Sequence, residues 1–180
     1  RVLHPASFAN DATRILRAIR YEQRLGFRME ADTEALVVQD KGYLDTISGD
    51  RLRHELERTF QEALPEMSLG RAQELGVLAQ ISTGLEWPEP THHALESWRA
   101  ECQRTEPLLC VALLAASLSD EDAQKLALRL NMPTRWRRVV EDAVELRGRM
   151  PALAGTEMRP SQVFGLLRDR EPSAVQAWAL

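Results

Sequence analysis

Helical periodicity runs almost the whole length of this chain, and the strict apolar–polar alternation of a half-buried strand is nearly absent. Apolar residues recur three and four positions apart in segment after segment, which confines the chain to architectures that pack helix on helix. The pattern predicts helices over about 11–25, 31–40, 49–64, 68–76, 91–104, 107–117, 120–131, 134–148, 160–169 and 172–180. Gly26, Gly42, Ser48-Gly49, Pro65, Gly76, Pro107, Pro133 and Pro160 punctuate them. Val2-Leu3, ahead of His4-Pro5, is the one candidate for a strand end. No repeat of fixed period is present, which argues against a solenoid. The expected fold is all-α, an irregular multi-helix bundle. Thr83–Pro90, with Gly84, Pro88 and Pro90, reads as a hinge between helical units 1–82 and 83–180, and Met150–Gly155 as a second break.

With 180 residues, 44% of them hydrophobic and 28% charged, the chain can bury a real core. No stretch approaches the roughly 18 to 20 apolar residues of a membrane span, and the N-terminus has no charged-then-apolar signal pattern. Cys102 and Cys110 are too few for a disulfide framework, so both are expected as buried small hydrophobes in a reducing, cytoplasmic setting. The sequence opens on Arg1 and stops straight after an amphipathic run, and reads as a piece of something longer.

The net charge of -4 averages two unlike parts. Residues 1–28 carry six arginines against Asp11 and Glu22, while the rest carries 17 basic and 25 acidic residues. Arg14, Arg17, Arg20, Arg24 and Arg28 fall within an arc of about 120° on a helix, opposite Ala12, Ile15, Leu16 and Ile19. Like charges three and four apart repel, so the stripe calls for an anion. Asp11, one turn before Arg14, sits where a carboxylate can cap a helix start. The same pair also sets an acceptor edge beside a donor fork, suited to nucleobase edges. A solvated stripe, balanced by acids elsewhere with Asp11 only a cap, is the alternative.

The run Arg1–Phe27 (RVLHPASFANDATRILRAIRYEQRLGF) resembles the neck of bacterial class II tRNA nucleotidyltransferases, the CCA-adding enzymes and their poly(A) polymerase relatives. Their signature is Glu-Asp-x-x-Arg followed by Arg-Ala-x-Arg-Phe/Tyr. The resemblance implies that Asp11 and Arg14 pair with the base of incoming CTP or ATP, and that Arg17 and Arg20 contact the nucleotide. Asn10 stands in place of the usual Glu, and Ala12 in place of a frequent Pro. Ile47–Leu56 (ISGDRLRHEL) is similar to the family's Ser-Gly-x-Arg-x-x-x-Glu-Leu segment. The likeness covers somewhat under half the chain. It implies a neck-like unit 1–82, a body-like RNA-binding unit 83–180, and tRNA, CTP and ATP as partners.

Nucleotidyl transfer of this kind needs carboxylates that hold Mg²⁺. In the family these lie on an upstream palm domain. The one Asp-x-Asp here, Asp120-Glu121-Asp122, follows Ser119 and opens a helix, as capping requires. The metal-binding carboxylates are therefore expected outside this chain, which alone should not catalyse. Thr134-Arg135-Trp136-Arg137-Arg138 offers arginines around an aromatic, and with Arg24 and Arg28 is a candidate RNA contact. Its alternative is a core stripe of Trp136, Val139, Val140 and Val144. Arg51, Arg53 and Arg58 either meet RNA or pair with Glu55 and Glu57. His92-His93 has no further metal ligand at the right spacing. Within the family, a poly(A) polymerase or a CC-only or A-only enzyme is the rival reading. In another class, the chain is a non-catalytic helical RNA-binding module.

Overall fold

The computed structural model describes residues 2, 4–104, 106–153 and 159–180, and among these the chain is all-α with no strand. Its elements are α1 (Ser7–Asn10), α2 (Thr13–Arg24), α3 (Ala31–Asp40), a 3₁₀ helix (Lys41–Thr46), α4 (Gly49–Phe60), α5 (Pro65–Glu74) and α6 (Val77–Ile81). They continue as α7 (Glu89–Cys102), α8 (Pro107–Ala115), α9 (Asp120–Arg129), α10 (Thr134–Leu153), α11 (Pro160–Leu167) and α12 (Pro172–Ala179). No helix among the described residues is long and apolar enough to cross a membrane. The break anticipated at Met150–Gly155 is not seen in its described part, because α10 continues as helix to Leu153; the rest of that segment and Leu3 lie outside the described residues.

Local chemistry sets the helix starts. Proline occupies the first turn of α5, α7, α8, α11 and α12, where its missing N–H costs no helical hydrogen bond. Ser119 caps α9 by accepting the Asp122 amide at 3.1 Å and donating its hydroxyl to Asp122 Oδ2 at 2.7 Å. That accounts for the Asp120-Glu121-Asp122 run as a helix start with three acids at the positive end of the dipole. Several boundaries differ from the periodicity, α10 most in length, running to Leu153 instead of ending near 148. Pro65 begins α5 instead of only ending α4, and the short α1 and α6 are too brief for a period to register.

The core forms one cluster. Ile15, Leu16 and Ile19 of α2 are buried against α4 and α5, whose Leu52, Leu56, Phe60 and Leu69 are buried in turn. α8 is buried on every side from Leu108 to Ala115 and packs against α10 and α12. Contacts also run from the first 82 residues into the rest. Arg129 donates to the carbonyls of Leu44 (2.8 Å) and Ile47 (3.0 Å), and Arg53 reaches back to those of Leu130 (3.1 Å) and Asn131. Between them Gly49 lies so close to α9 that a Cβ there would sit 2.2 Å from the Arg129 carbonyl oxygen.

Candidate nucleotide and RNA interface

The Asp11 side of α2 is shaped by a break in the helix. α1 ends at Asn10, Asp11 is extended (φ -156°, ψ 96°), and α2 starts two residues later. The Asp11 carboxylate turns back on that start, its Oδ1 accepting from the Thr13 hydroxyl (2.7 Å), the Thr13 amide (3.2 Å) and Arg51 Nη2 (2.9 Å). Partial burial pushes the carboxyl up. The Thr13 and Arg51 hydrogen bonds outweigh this and hold it below the ordinary carboxylate range. One oxygen is thus saturated while Oδ2 has no intramolecular hydrogen bond among the described residues. Arg14, exposed one turn on, donates to the Ser7 carbonyl at 3.1 Å.

Beyond Arg14 the stripe divides. Arg20 turns inward, its side chain only 7% exposed, and Nη1 donates to Glu62 at 2.8 Å with Glu55 3.9 Å from Nη2. Arg24 lies 3.8 Å from the same Glu62 carboxylate. The acids that neutralise this part of the stripe come from α4 and the turn after it, not from α2. Arg14, Arg17 and Arg28 have no carboxylate in ion-pair reach among the described residues, and all three line one cleft of about 440 Å³ with Tyr21 and Phe27. The Arg17 and Arg20 guanidiniums beside the Tyr21 phenol hold it below the usual phenol range.

The other candidates disperse. Trp136 is a correction to the RNA-stacking possibility: its ring is buried against Phe60, centroids 5.8 Å apart, alongside buried Val139, Val140 and Val144. Tertiary packing has claimed the face that stacking needs. Arg137 donates to the Met132 carbonyl (3.0 Å), Arg138 to that of Asp169 (2.7 Å), and Arg135 lies 3.8 Å from Glu171, all three remaining exposed. Arg53 and Arg58 pair with Glu57 (3.3 Å) and Glu55 (2.9 Å), whereas Arg51 leaves its helix for Asp11. Cys110 is buried, but Cys102 is exposed at the end of α7, contrary to expectation. Thr13, Tyr21 and Phe27 are members of this site that the sequence did not single out as site residues, and Arg51, read there as an RNA contact or a partner of Glu55 and Glu57, pairs with Asp11 instead. Of these, only the aromatics carried a local signal, through their place beside the arginine stripe.

The Asp11 carboxylate thus stands at the start of α2, and Arg14, Arg17 and Arg28, without a carboxylate in ion-pair reach among the described residues, line the cleft beside it. Residues 26–87 match the family described as "Probable RNA and SrmB-binding site of polymerase A". The chain is 30% identical to the A-adding tRNA nucleotidyltransferase of Geobacter sulfurreducens, over 97% of this chain and 22% of that protein. It is 36% identical to the A-adding enzyme of Aquifex aeolicus over 55% of this chain and 12% of that one. Its fold matches a CCA-adding enzyme in complex with CTP (TM-score 0.79, 27% identity, 99% of this chain, 45% of that one). It also matches the Thermotoga maritima CCA-adding enzyme complexed with tRNA (TM-score 0.73, 28% identity, 99% and 46%). The chain belongs to the tRNA nucleotidyltransferase family and corresponds to its helical neck and body. It spans less than half the length of these relatives.

Proposed function

We propose that this chain is the nucleobase-selecting and RNA-binding part of an enzyme that adds CMP and AMP, from CTP and ATP, to the 3′ end of tRNA. The Asp11–Arg14 edge carries the reading. Cytosine and adenine both present an exocyclic amino donor, where uracil and guanine present a carbonyl oxygen. An ionised acceptor at Asp11 Oδ2 favours the first pair and repels the second, and the Arg14 fork supplies donors to the neighbouring ring acceptor. Arg17 contacts the sugar or phosphates. Arg20, anchored by Glu62 and Glu55, acts from behind, fixing α2 and the Tyr21 ring. In this reading residues 1–82 carry nucleotide recognition and 83–180 the RNA-binding body, with Arg24, Arg28, Arg135, Arg137 and Arg138 as exposed cations for the RNA backbone. The setting is the cytoplasm.

Mg²⁺ belongs to the proposed reaction, where it would activate the attacking hydroxyl and neutralise developing charge. The carboxylates here do not fit it. Asp122 is committed to the α9 cap, and the described residues hold no cluster of three potential ligands. No step is therefore assigned to a metal in this chain, and the isolated chain is inactive in the proposed reaction, its palm partner supplying the metal-binding carboxylates.

The test is selectivity. Calorimetric titration of the chain with each of the four nucleoside triphosphates should show CTP and ATP preferred, with Asp11→Ala erasing the preference and Arg14→Ala weakening both. Unchanged selectivity in Asp11→Ala would sink the base-reading role. An enzyme adding only A is the second reading, favoured by the A-adding enzymes among its relatives. Product length on tRNAs ending before and after CC, in a protein that joins this chain to a palm, separates the two.

A further inference from the structure

An acceptor that rejects a base by repulsion must not be able to turn aside. The terminal torsion of an aspartate is broad and nearly two-fold, so a loose carboxylate facing a uracil or guanine carbonyl oxygen escapes the clash by rotating. Selection at Asp11 therefore depends on what stops that rotation. Three hydrogen bonds meet at Oδ1, and they are unlike. Arg51 reaches across from α4 on a long side chain that is 56% exposed, a flexible tether. The Thr13 amide, at 3.2 Å, stands at the long end of the hydrogen-bond range. The Thr13 hydroxyl makes the shortest contact, 2.7 Å, from a buried residue whose branched Cβ stiffens χ1. It is also the contact a helix start can do without, because capping answers orphan N–H groups and the amide bond alone achieves that.

We propose that Thr13 is a specificity-determining positioning residue: its hydroxyl locks the plane of the Asp11 carboxylate, so that Oδ2 accepts from the amino group of cytosine or adenine and cannot retreat from the carbonyl oxygen of uracil or guanine. The inference rests on the base reading proposed above and deepens it. Thr13 is only 4% exposed and acts through Asp11, not on the nucleotide. Its hydroxyl donates to Oδ1, which leaves Oδ2 with no intramolecular donor among the described residues and open to the ligand's. The consequence is asymmetric. A carboxylate freed from Thr13 still accepts from an amino group, so the accepted pair loses little, whereas the rejected pair gains because the repulsion relaxes. A defect that only loosened the helix start would weaken all four nucleotides together.

The experiment is a calorimetric titration of the 180-residue chain and its Thr13 variants with CTP, ATP, UTP and GTP. Thr13→Val should narrow the gap between the accepted and the rejected pair at least about fivefold, by tightening UTP and GTP while CTP and ATP stay within about twofold. Thr13→Ala, which adds no bulk beside the carboxylate, should behave as Thr13→Val does. Thr13→Ser, which keeps the hydroxyl, should restore the wild-type gap, and unfolding midpoints of all three variants will show that they fold. An unchanged gap in Thr13→Val, equal weakening of all four nucleotides, or no rescue by Thr13→Ser overturns the assignment. A wild-type chain with no gap, or an Asp11→Ala chain that keeps it, refutes the base reading itself. A gap lost with Asp11→Ala but kept with Thr13→Val refutes only the role of Thr13.

Discussion

Arg51 Nη2 lies 2.9 Å from Asp11 Oδ1, joining α4 to the start of α2 across 40 residues of sequence. Together with the Thr13 contacts to the same oxygen, the bond leaves Oδ2 free and helps hold the carboxyl below its ordinary range. Arg51→Met should therefore raise the Asp11 pKa toward the ordinary value near about 4, while the Thr13 bonds retain part of the depression. Because the folded-state pKa is lowered, the stability Asp11 contributes is present above the unfolded value and is lost as pH falls through the folded one. Carboxyl NMR titration reads the shift directly. An Asp11 pKa unmoved by Arg51→Met would remove Arg51 from this role.

Gly49 is required by a close approach, not by its backbone angles. A Cβ at this position would meet the Arg129 carbonyl oxygen at 2.2 Å and the Leu130 carbonyl carbon at 3.0 Å, both backbone atoms that cannot swing aside. Gly49→Ala should cost at least about 2 kcal/mol, at the severe end of overpacking. Gly42→Ala meets nothing within 4 Å and should change stability by under about 0.5 kcal/mol. Urea midpoints of the two variants make the comparison, and equal midpoints would contradict the interlock of α4 with α9.

Asp11 and Gly49 mark how far a linear sequence can be read. The spacing of Asp11 and Arg14 is local, as is the apolar stripe of Ile15, Leu16 and Ile19, so the arginine-bearing helix is legible from the residues alone. Arg20 belongs to the same stripe by periodicity, yet its orientation is decided by Glu62, 42 residues later. Ser48-Gly49 reads as a helix start, but nothing in its neighbourhood names the α9 carbonyl that excludes a side chain. Trp136 shows the same limit: its flanking arginines suggest RNA, and its partner Phe60 lies in a different helix. Periodicity reports which face is apolar, whereas tertiary partners decide which charges stay free.

Arg20 and Arg17 should separate stability from ligand contact. Removing Arg20 leaves the Glu55 and Glu62 carboxylates, 8% and 17% exposed, with only the more exposed Arg58 (2.9 Å) and Arg24 (3.8 Å) as cationic partners. Breaking a fully buried pair costs about 3 to 5 kcal/mol, and partial access to water lowers that here to about 2 kcal/mol for Arg20→Met. Arg17 has no carboxylate in ion-pair reach among the described residues, so Arg17→Met should leave stability within about 0.5 kcal/mol and weaken nucleotide binding. Denaturation and calorimetric titration of both variants test the division. Equal stability losses would mean that the stripe acts as one solvated face.

The two thiols should differ in reactivity. Cys102 is exposed at the C-terminal end of α7, whereas Cys110 lies inside α8 with no exposed surface. Burial, reinforced by the negative charge of Glu66, pushes the Cys110 thiol well above the usual range, so its reactive thiolate is scarce as well as inaccessible. A disulfide reagent at pH 8 should label one thiol in the folded chain and two in denaturant, and Cys102→Ser should abolish the first. Because α8 packs against α10 and α12, labelling of Cys110 reports opening of the C-terminal helical core. Its rate should track global unfolding, and rapid labelling of both thiols in native buffer would refute the packing of α8.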